Sequence, residues 1–183
     1  MISAVLDTNV ILAMAAGHDR TGSVMAVLWN AWQGRHFHHV TSRFVLIETG
    51  RHLAEGYFAD QVSDHIQQIT MQRLRTDNVD VQFEVRIGVA SHPEDDRVMA
   101  IALQEKVNFL VTGDKQLLLR DGFEGLRIIT PRQFVDTLEA GLVESPAHAA
   151  QNPMHPGQCA SSWTACHSPA ETHALPIQTR SPS

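Results

Sequence analysis

Cysteine is scarce in this sequence of 183 residues, and both copies, Cys159 and Cys166, lie near the C-terminal end. A disulfide therefore cannot cross-link the body of the chain, which must be stabilised by packing, as in proteins of a reducing compartment. No stretch approaches the roughly 18 to 20 consecutive apolar residues that span a bilayer, and the apolar opening of the chain has no basic leader. These absences predict a cytoplasmic protein without a membrane anchor.

Basic residues are in deficit, because 14 Lys and Arg stand against 20 Asp and Glu, a formal net charge of -6. A protein that grips nucleic acid through a broad basic surface is therefore not expected. Acidity does not exclude every phosphate-binding function. Where carboxylates converge on divalent cations, the bound metal reverses the local sign and attracts phosphate.

The length and the 43% hydrophobic content are sufficient for one compact domain with its own core, and too small for two ordinary domains. We assign this domain to residues 1–144. From residue 145 to 183 the composition changes to Pro, Ser, Ala, His and Gln, with Glu171 and Arg180 as the only Asp, Glu, Lys or Arg residues. This composition predicts a disordered tail.

Strand-like and helix-like segments alternate along the domain. The strand patterns are Ser3–Leu6, Phe37–Val40, Val79–Val85, Asn108–Thr112 and Arg127–Ile129. The helical patterns are Val10–Ala16, Arg20–Arg35, Ser42 to about Glu55, Phe58–Arg73, Glu94–Lys106 and Pro131 to about Leu142. Strands separated by helices require crossover connections, so the pattern predicts an α/β fold with a mainly parallel central sheet of about five strands and helices on both faces.

Two acidic residues stand in positions that need an explanation. Asp7 directly follows the first strand, where ligands of open α/β sheets bind, although capping of the next helix is an ordinary alternative. Glu48 interrupts the apolar run 44–47, where a metal would compensate its charge. Its alternative is a helical ion pair with Arg51 or His52.

Two further acids follow the same logic. Asp96 closes the acidic run 94–96 at a helix start, where the helix dipole alone favours acids. Three consecutive acids exceed what capping requires, and a bound cation would relieve their repulsion. Asp114 follows Gly113 at the end of a buried strand, and a plain turn aspartate is its alternative.

All four acids fall where a doubly wound sheet brings strand ends and helix starts to one edge. Oxygen-only ligands suit hard cations such as Mg²⁺ or Mn²⁺, and no His or Cys set in the domain has the spacing of a zinc site. The four acids therefore predict a magnesium or manganese site.

Several segments of this chain together resemble the PIN-domain family. They are Val5–Leu12 (VLDTNVIL), Glu48, Pro93–Arg97 (PEDDR), Val111–Leu118 (VTGDKQLL) and Ile128–Phe134 (IITPRQF). The resemblance extends over roughly residues 2 to 142 and is greatest to the bacterial branch described as toxin components of toxin–antitoxin systems. It implies a PIN-like three-layer α/β/α sandwich.

The resemblance gives each of four family acids a counterpart, namely Asp7, Glu48, Asp96 and Asp114. Asp95 is the alternative to Asp96, which we prefer because the apolar residues after it then follow the family's helical pattern. Thr112 matches the hydroxyl that often accompanies the fourth acid. Thr8, Asn9 and Thr112 are expected to position the metal ligands.

The activity implied by the resemblance is that of a metal-dependent endoribonuclease, with RNA as substrate. A small cognate antitoxin would mask the site, and self-association as a homodimer through a helix such as 20–35 is a further expectation. Arg97 and Lys115 are near enough in sequence to touch phosphate, but a solvated surface charge is the ordinary interpretation of each.

Two other functions compete with the nuclease. One is a catalytically inactive PIN-fold module that binds RNA or protein, against which the presence of all four acids argues. The other is a phosphatase of the haloacid dehalogenase type, which also has an Asp after its first strand. That chemistry needs a second acid two residues later, where this chain has Asn9.

Overall fold

The structure is a computed structural model that describes residues 1–79 and 93–143. The strands in these residues are β1 (Ser3–Leu6), β2 (His38–Ser42), β3 (Asn78–Val79), β4 (Phe109–Val111) and β5 (Arg127–Ile129). The α-helices are α1 (Thr8–Gly17), α2 (Val24–Gln33), α3 (Arg43–Ala54), α4 (Tyr57–Gln61), α5 (Asp64–Asp77), α6 (Pro93–Gln104), α7 (Lys115–Leu118) and α8 (Pro131–Val143).

The five strands form one sheet in the order β3-β2-β1-β4-β5, and every pairing among them is parallel. In the central strand, Val5 lies opposite Val40 of β2 and Leu110 of β4. Ala4, Val5 and Leu6 of β1 are fully buried, as expected for a strand covered on both faces. The predicted three-layer α/β/α sandwich with a parallel central sheet is thereby confirmed.

The order of the strands reverses at β1. The chain proceeds from β1 through β2 to β3 on one side, and from β4 to β5 on the other. In open parallel sheets, such a switch point opens a crevice outside the carboxyl ends of the two strands that flank it. Here the two strands are β1 and β4, which are followed directly by Asp7 and Thr112.

Helices pack on the sheet and on one another around this switch point. Helix α6 contacts β1, β2 and β4, whereas α1 contacts α2, α3 and α5. Trp29 and Trp32 of α2 are buried, and Phe44 of α3 is half-buried. All the described elements belong to one compact unit.

The predicted helix Phe58–Arg73 is wrong, because two helices occupy this region. Val62 adopts extended backbone angles (φ -115°, ψ 117°) and buries its side chain, and Ser63 is also extended (φ -61°, ψ 152°). The Val62 carbonyl accepts a hydrogen bond of 2.9 Å from Nε2 of Gln67. The chain therefore ends α4 and begins α5 within two residues, which hydrophobic periodicity did not indicate.

The boundaries of the other helices and strands differ less from the predicted ones. Helix α2 begins at Val24 rather than at Arg20, because the Ser23 hydroxyl accepts a hydrogen bond from the Ala26 amide (3.1 Å) and caps the helix there. Of the predicted strand 79–85, only its first residue lies within the described residues. The predicted disordered tail, 145–183, lies outside them. In the described part of the chain, no helix is long and apolar enough to cross a membrane.

Candidate active site

Asp7 lies at the carboxyl edge of the sheet, the edge at which the parallel strands β1 and β4 end. Its amide donates to the Val111 carbonyl (3.0 Å), and its own carbonyl accepts from the amides of Val10 and Ile11, so its main chain starts α1. Its side chain, 9% exposed, makes no capping hydrogen bond to this fully described helix. Oδ2 of Asp7 instead accepts a hydrogen bond of 2.8 Å from the Thr112 hydroxyl. The helix-capping alternative for Asp7 is therefore wrong.

Thr112 joins the ends of two neighbouring strands through one fully buried hydroxyl. Besides donating to Asp7, Oγ1 of Thr112 accepts a hydrogen bond of 3.0 Å from the Asp114 amide. The Thr112 amide donates to the Ile129 carbonyl at 3.0 Å, which fixes the residue to β5 as well. The hydroxyl thus links the side chain of Asp7 to the main chain of Asp114.

Asp114 is exposed and begins the short helix α7, which the sequence did not predict. Its Oδ1 accepts hydrogen bonds from the amides of Gln116 (2.5 Å) and Leu117 (3.3 Å). The alternative interpretation of Asp114 was a local turn residue. The structure agrees with a local role, because the Asp114 side chain caps α7. The same residue also lies beside the end of β4, two residues after Thr112.

Glu48 is half-buried in α3, and its Oε2 accepts a hydrogen bond of 2.6 Å from the hydroxyl of Thr8. Among the described side chains, no ion pair joins Glu48 to Arg51 or His52, so the ion-pair alternative is wrong. Since Thr8 is the residue after Asp7, this hydrogen bond brings Glu48 to the end of β1.

Asp96 is half-buried in the first turn of α6. Because α6 runs back to the start of the parallel strand β4, its own start lies at the carboxyl edge of the sheet. The next residue, Arg97, places Cζ 4.5 Å from the centre of the Phe44 ring. Phe44 precedes Glu48 by one helical turn on α3, so the start of α6 lies beside the part of α3 that carries Glu48.

The sequence did not identify Phe44 as part of this edge, although its spacing of four residues from Glu48 was a usable signal. Of the other predicted residues, Asn9 is exposed on α1, and the Asp95 side chain lies outside the described part of the structure.

The four acids lie around one edge of the sheet, but they do not form a tight cluster. In residues 1–79 and 93–143, no group of three or more His, Cys, Asp or Glu side chains could hold a metal ion as arranged. Hydrogen bonds through Thr112 link Asp7 to Asp114, and a hydrogen bond from Thr8 links Glu48 to the end of β1. All four donors are carboxylates, so the chemistry of the edge fits a hard divalent cation.

His39 of β2 and Asp77 of α5 form a hydrogen-bonded pair in which burial and charge displace both pKa values. Oδ2 of Asp77 accepts from Nδ1 of His39 and from Nε1 of Trp32, each at 3.1 Å, and Arg73 lies at 3.1 Å. Burial lowers the pKa of His39, against the opposing effect of Asp77. Burial raises the pKa of Asp77, but His39 and Arg73 outweigh it and lower that pKa. His39 is near the start of β2, whereas the four acids lie around the carboxyl edge, so we interpret this network as structural.

Comparison with curated proteins finds no match. A family model described as PIN domain matches residues 3–116, which is more than half of the chain. The matched range includes Asp7, Glu48, Asp96 and Asp114. PIN domains are typically nucleases and generally use divalent metal ions, in agreement with the four carboxylates around this edge. The chain, through this match and its parallel sheet, belongs to the PIN-domain family.

Proposed function

We propose that this protein is a divalent-metal-dependent endoribonuclease in which Asp7, Glu48, Asp96 and Asp114 hold Mg²⁺ or Mn²⁺ against an RNA backbone. The observation that carries the proposal is the state of Asp7. Its carboxylate is buried at the switch point between β1 and β4, does not cap α1, and is oriented by Thr112. A carboxylate held at this switch point stands where open parallel sheets bind their ligands.

When bound, a divalent cation would acidify a water molecule and stabilise charge on the phosphate under attack. The chain's own residues prepare this chemistry. Thr112 fixes Asp7, and Thr8 fixes one oxygen of Glu48, so that the other can complete the ligand set or orient the attacking water. Asp96 and Asp114, which are more exposed than Asp7, would meet the cation from the solvent side.

The choice of RNA and the biological setting rest on the resemblance of VLDTNVIL, PEDDR and VTGDKQLL to toxin components of toxin–antitoxin systems. On that basis we propose that the protein is the toxin of such a pair. A cognate antitoxin would then mask the carboxyl edge, and the active protein would act in the cytoplasm, as a monomer or a homodimer.

The test is cleavage of a mixed RNA pool in Mg²⁺ and in Mn²⁺, with a chelated sample and an Asp96→Asn variant beside it. Asp136→Asn is the matched control, because Asp136 is an exposed aspartate in the second turn of α8 and is not one of the four acids. The wild type and Asp136→Asn should cleave, whereas chelation and Asp96→Asn should abolish cleavage. A DNA pool of the same composition separates a ribonuclease from a general nuclease.

The alternative function is an inactive PIN-fold module that binds RNA or protein. A folded wild type that binds the RNA pool but leaves it intact in both metals would support this alternative. Cleavage that persists in Asp96→Asn, with its fold confirmed by circular dichroism, would instead refute the assignment of Asp96.

A further inference from the structure

Arg97 has an unusual setting for an exposed arginine beside an acidic edge. It follows Asp96, yet it forms no ion pair with any acid whose side chain the structure describes. Its guanidinium lies over the ring of Phe44 instead, with Cζ 4.5 Å from the ring centre. Because Phe44 is itself half-buried in α3, the ring is a fixed support rather than a mobile surface group.

Contact with a ring has two consequences for a guanidinium. The ring attracts the charge through its π face and accepts no conventional hydrogen bond, so the N–H groups remain available to another ligand. The side chain also loses conformational freedom before a ligand arrives, which reduces the entropy cost of binding. A guanidinium held in this way presents a planar fork that matches two oxygens of a phosphate.

The surroundings make a phosphate the fitting ligand. Glu48 lies one helical turn from Phe44, and Asp96 is the neighbour of Arg97 in sequence. On a chain with a net charge of -6, a polyanionic strand approaching these acids would be repelled unless cations are placed beside them. Arg97 is a cation of the chain itself at that place.

We propose that Arg97, held on the ring of Phe44, is a phosphate-binding residue that donates hydrogen bonds to a phosphate of the RNA strand beside the one cleaved. The inference rests on the proposed nuclease function, because it takes the edge around Asp96 as the place where RNA lies. The side chain positions the strand through a phosphate and reads no base.

The experiment measures binding and turnover separately. The dissociation constant of a labelled single-stranded RNA of mixed sequence is determined by fluorescence anisotropy over a range of salt concentrations, with Ca²⁺ in place of Mg²⁺. In parallel, kcat and KM are measured in Mn²⁺. The variants are Arg97→Ala, Arg97→Lys and Phe44→Leu. Arg75→Ala is the control, since Arg75 is an exposed arginine in the last turn of α5, the helix that precedes the outermost strand β3.

Arg97→Ala should weaken binding about tenfold, because it removes hydrogen bonds to a charged group. It should also lower the slope of log Kd against log salt by about 0.7, as expected for one lost phosphate contact on a single strand. Arg97→Lys should keep the slope but lose part of the affinity, since it lacks the planar fork. Phe44→Leu should weaken binding about two- to fivefold through loss of the cation–π contact. Arg75→Ala should bind like the wild type.

The outcomes separate this inference from the proposed function. If the wild type cleaves RNA and Arg97→Ala has unchanged affinity and salt slope, the inference is overturned and the nuclease remains. If the wild type does not cleave, but Arg97→Ala loses affinity and slope, the nuclease is overturned and the phosphate contact remains. Equal losses in Arg75→Ala, or no binding by the wild type, overturn the inference. Arg97→Gln replaces Arg97→Ala if the latter does not fold.

Discussion

Replacing Thr112 by valine tests whether a single buried hydroxyl holds the acidic edge together. Valine has nearly the shape of threonine, so the main change is the loss of two hydrogen bonds, one to the Asp7 carboxylate and one from the Asp114 amide. A hydrogen bond to a charged group contributes roughly 1.5 to 3 kcal/mol, and a neutral one about 1 kcal/mol. The free energy of unfolding should therefore fall by about 3 kcal/mol, and Tm by roughly 9 °C for a domain of this size.

Thr41 offers a matched control on the same sheet. It is fully buried in β2, but its hydroxyl has no hydrogen-bond partner within the described part of the chain. Thr41→Val therefore removes a buried hydroxyl without breaking a hydrogen bond. The free energy of unfolding should stay unchanged or rise by about 1 kcal/mol. The two variants are chemically identical changes, and only Thr112→Val is expected to lower the free energy of unfolding.

Urea unfolding followed by circular dichroism, in chelator so that metal binding does not contribute, gives the free energies directly. Thr112→Ser should recover most of the lost stability, because it restores the hydroxyl and removes only a methyl group, at a cost of about 1 kcal/mol. If Thr112→Val is as stable as the wild type, or if it differs from Thr41→Val by less than about 1 kcal/mol, the coupling inferred for Thr112 does not exist.

Three further predictions concern metal, acid and packing. A divalent metal at about ten times its Kd should stabilise the wild type by about 1.4 kcal/mol in calorimetry, and Asp7→Asn should lose this gain. Stability should fall as pH falls, first below about 6.5, where the unfolded chain protonates His39 while burial keeps the folded residue neutral, and again below about 4, where the unfolded chain protonates Asp77 before the folded chain does. Urea unfolding at pH 7, 5.5, 4 and 3 measures both steps, and a free energy of unfolding that does not fall between pH 7 and 5.5, or between pH 4 and 3, would contradict the corresponding pKa shift. Phe134→Ala should lower the free energy of unfolding by about 3 to 5 kcal/mol, since Phe134 is fully buried. Leu119 is 78% exposed, so Leu119→Ala should change this free energy by less than about 0.5 kcal/mol. Similar losses in both variants would contradict the assigned core.

The fold was largely predictable because β1 and β4 are short apolar runs between helical patterns. Ala4, Val5 and Leu6 have the pattern of a covered strand, and the helices between strands required parallel crossovers. The order of the strands was not predictable, since neighbouring strands pair through main-chain hydrogen bonds, which every strand offers alike. The break at Val62 was missed for a related reason, because an apolar residue satisfies helical periodicity even where its backbone is extended.

The candidate site was predictable in position but not in contacts. Strand ends and helix starts could be read from the sequence, and the acids at those points lie at one edge. Their hydrogen-bond partners could not, because Thr8 and Glu48 are 40 residues apart and Asp7 and Thr112 are 105 residues apart. Such pairings depend on the register of β1 against β4 and on the packing of α3, which only the folded chain determines.

The central position of β1 also bears on how firmly Asp7 is held over time. A strand with a parallel neighbour on each side and no exposed face releases its amide hydrogens to solvent only when the whole sheet opens. The Asp7 amide, which is bonded to Val111, should exchange as slowly as those of β1. Helix α4, with five residues and Tyr57 70% exposed, should open far more often. Fraying at the periphery can therefore proceed for long periods while the acid at the switch point keeps its place.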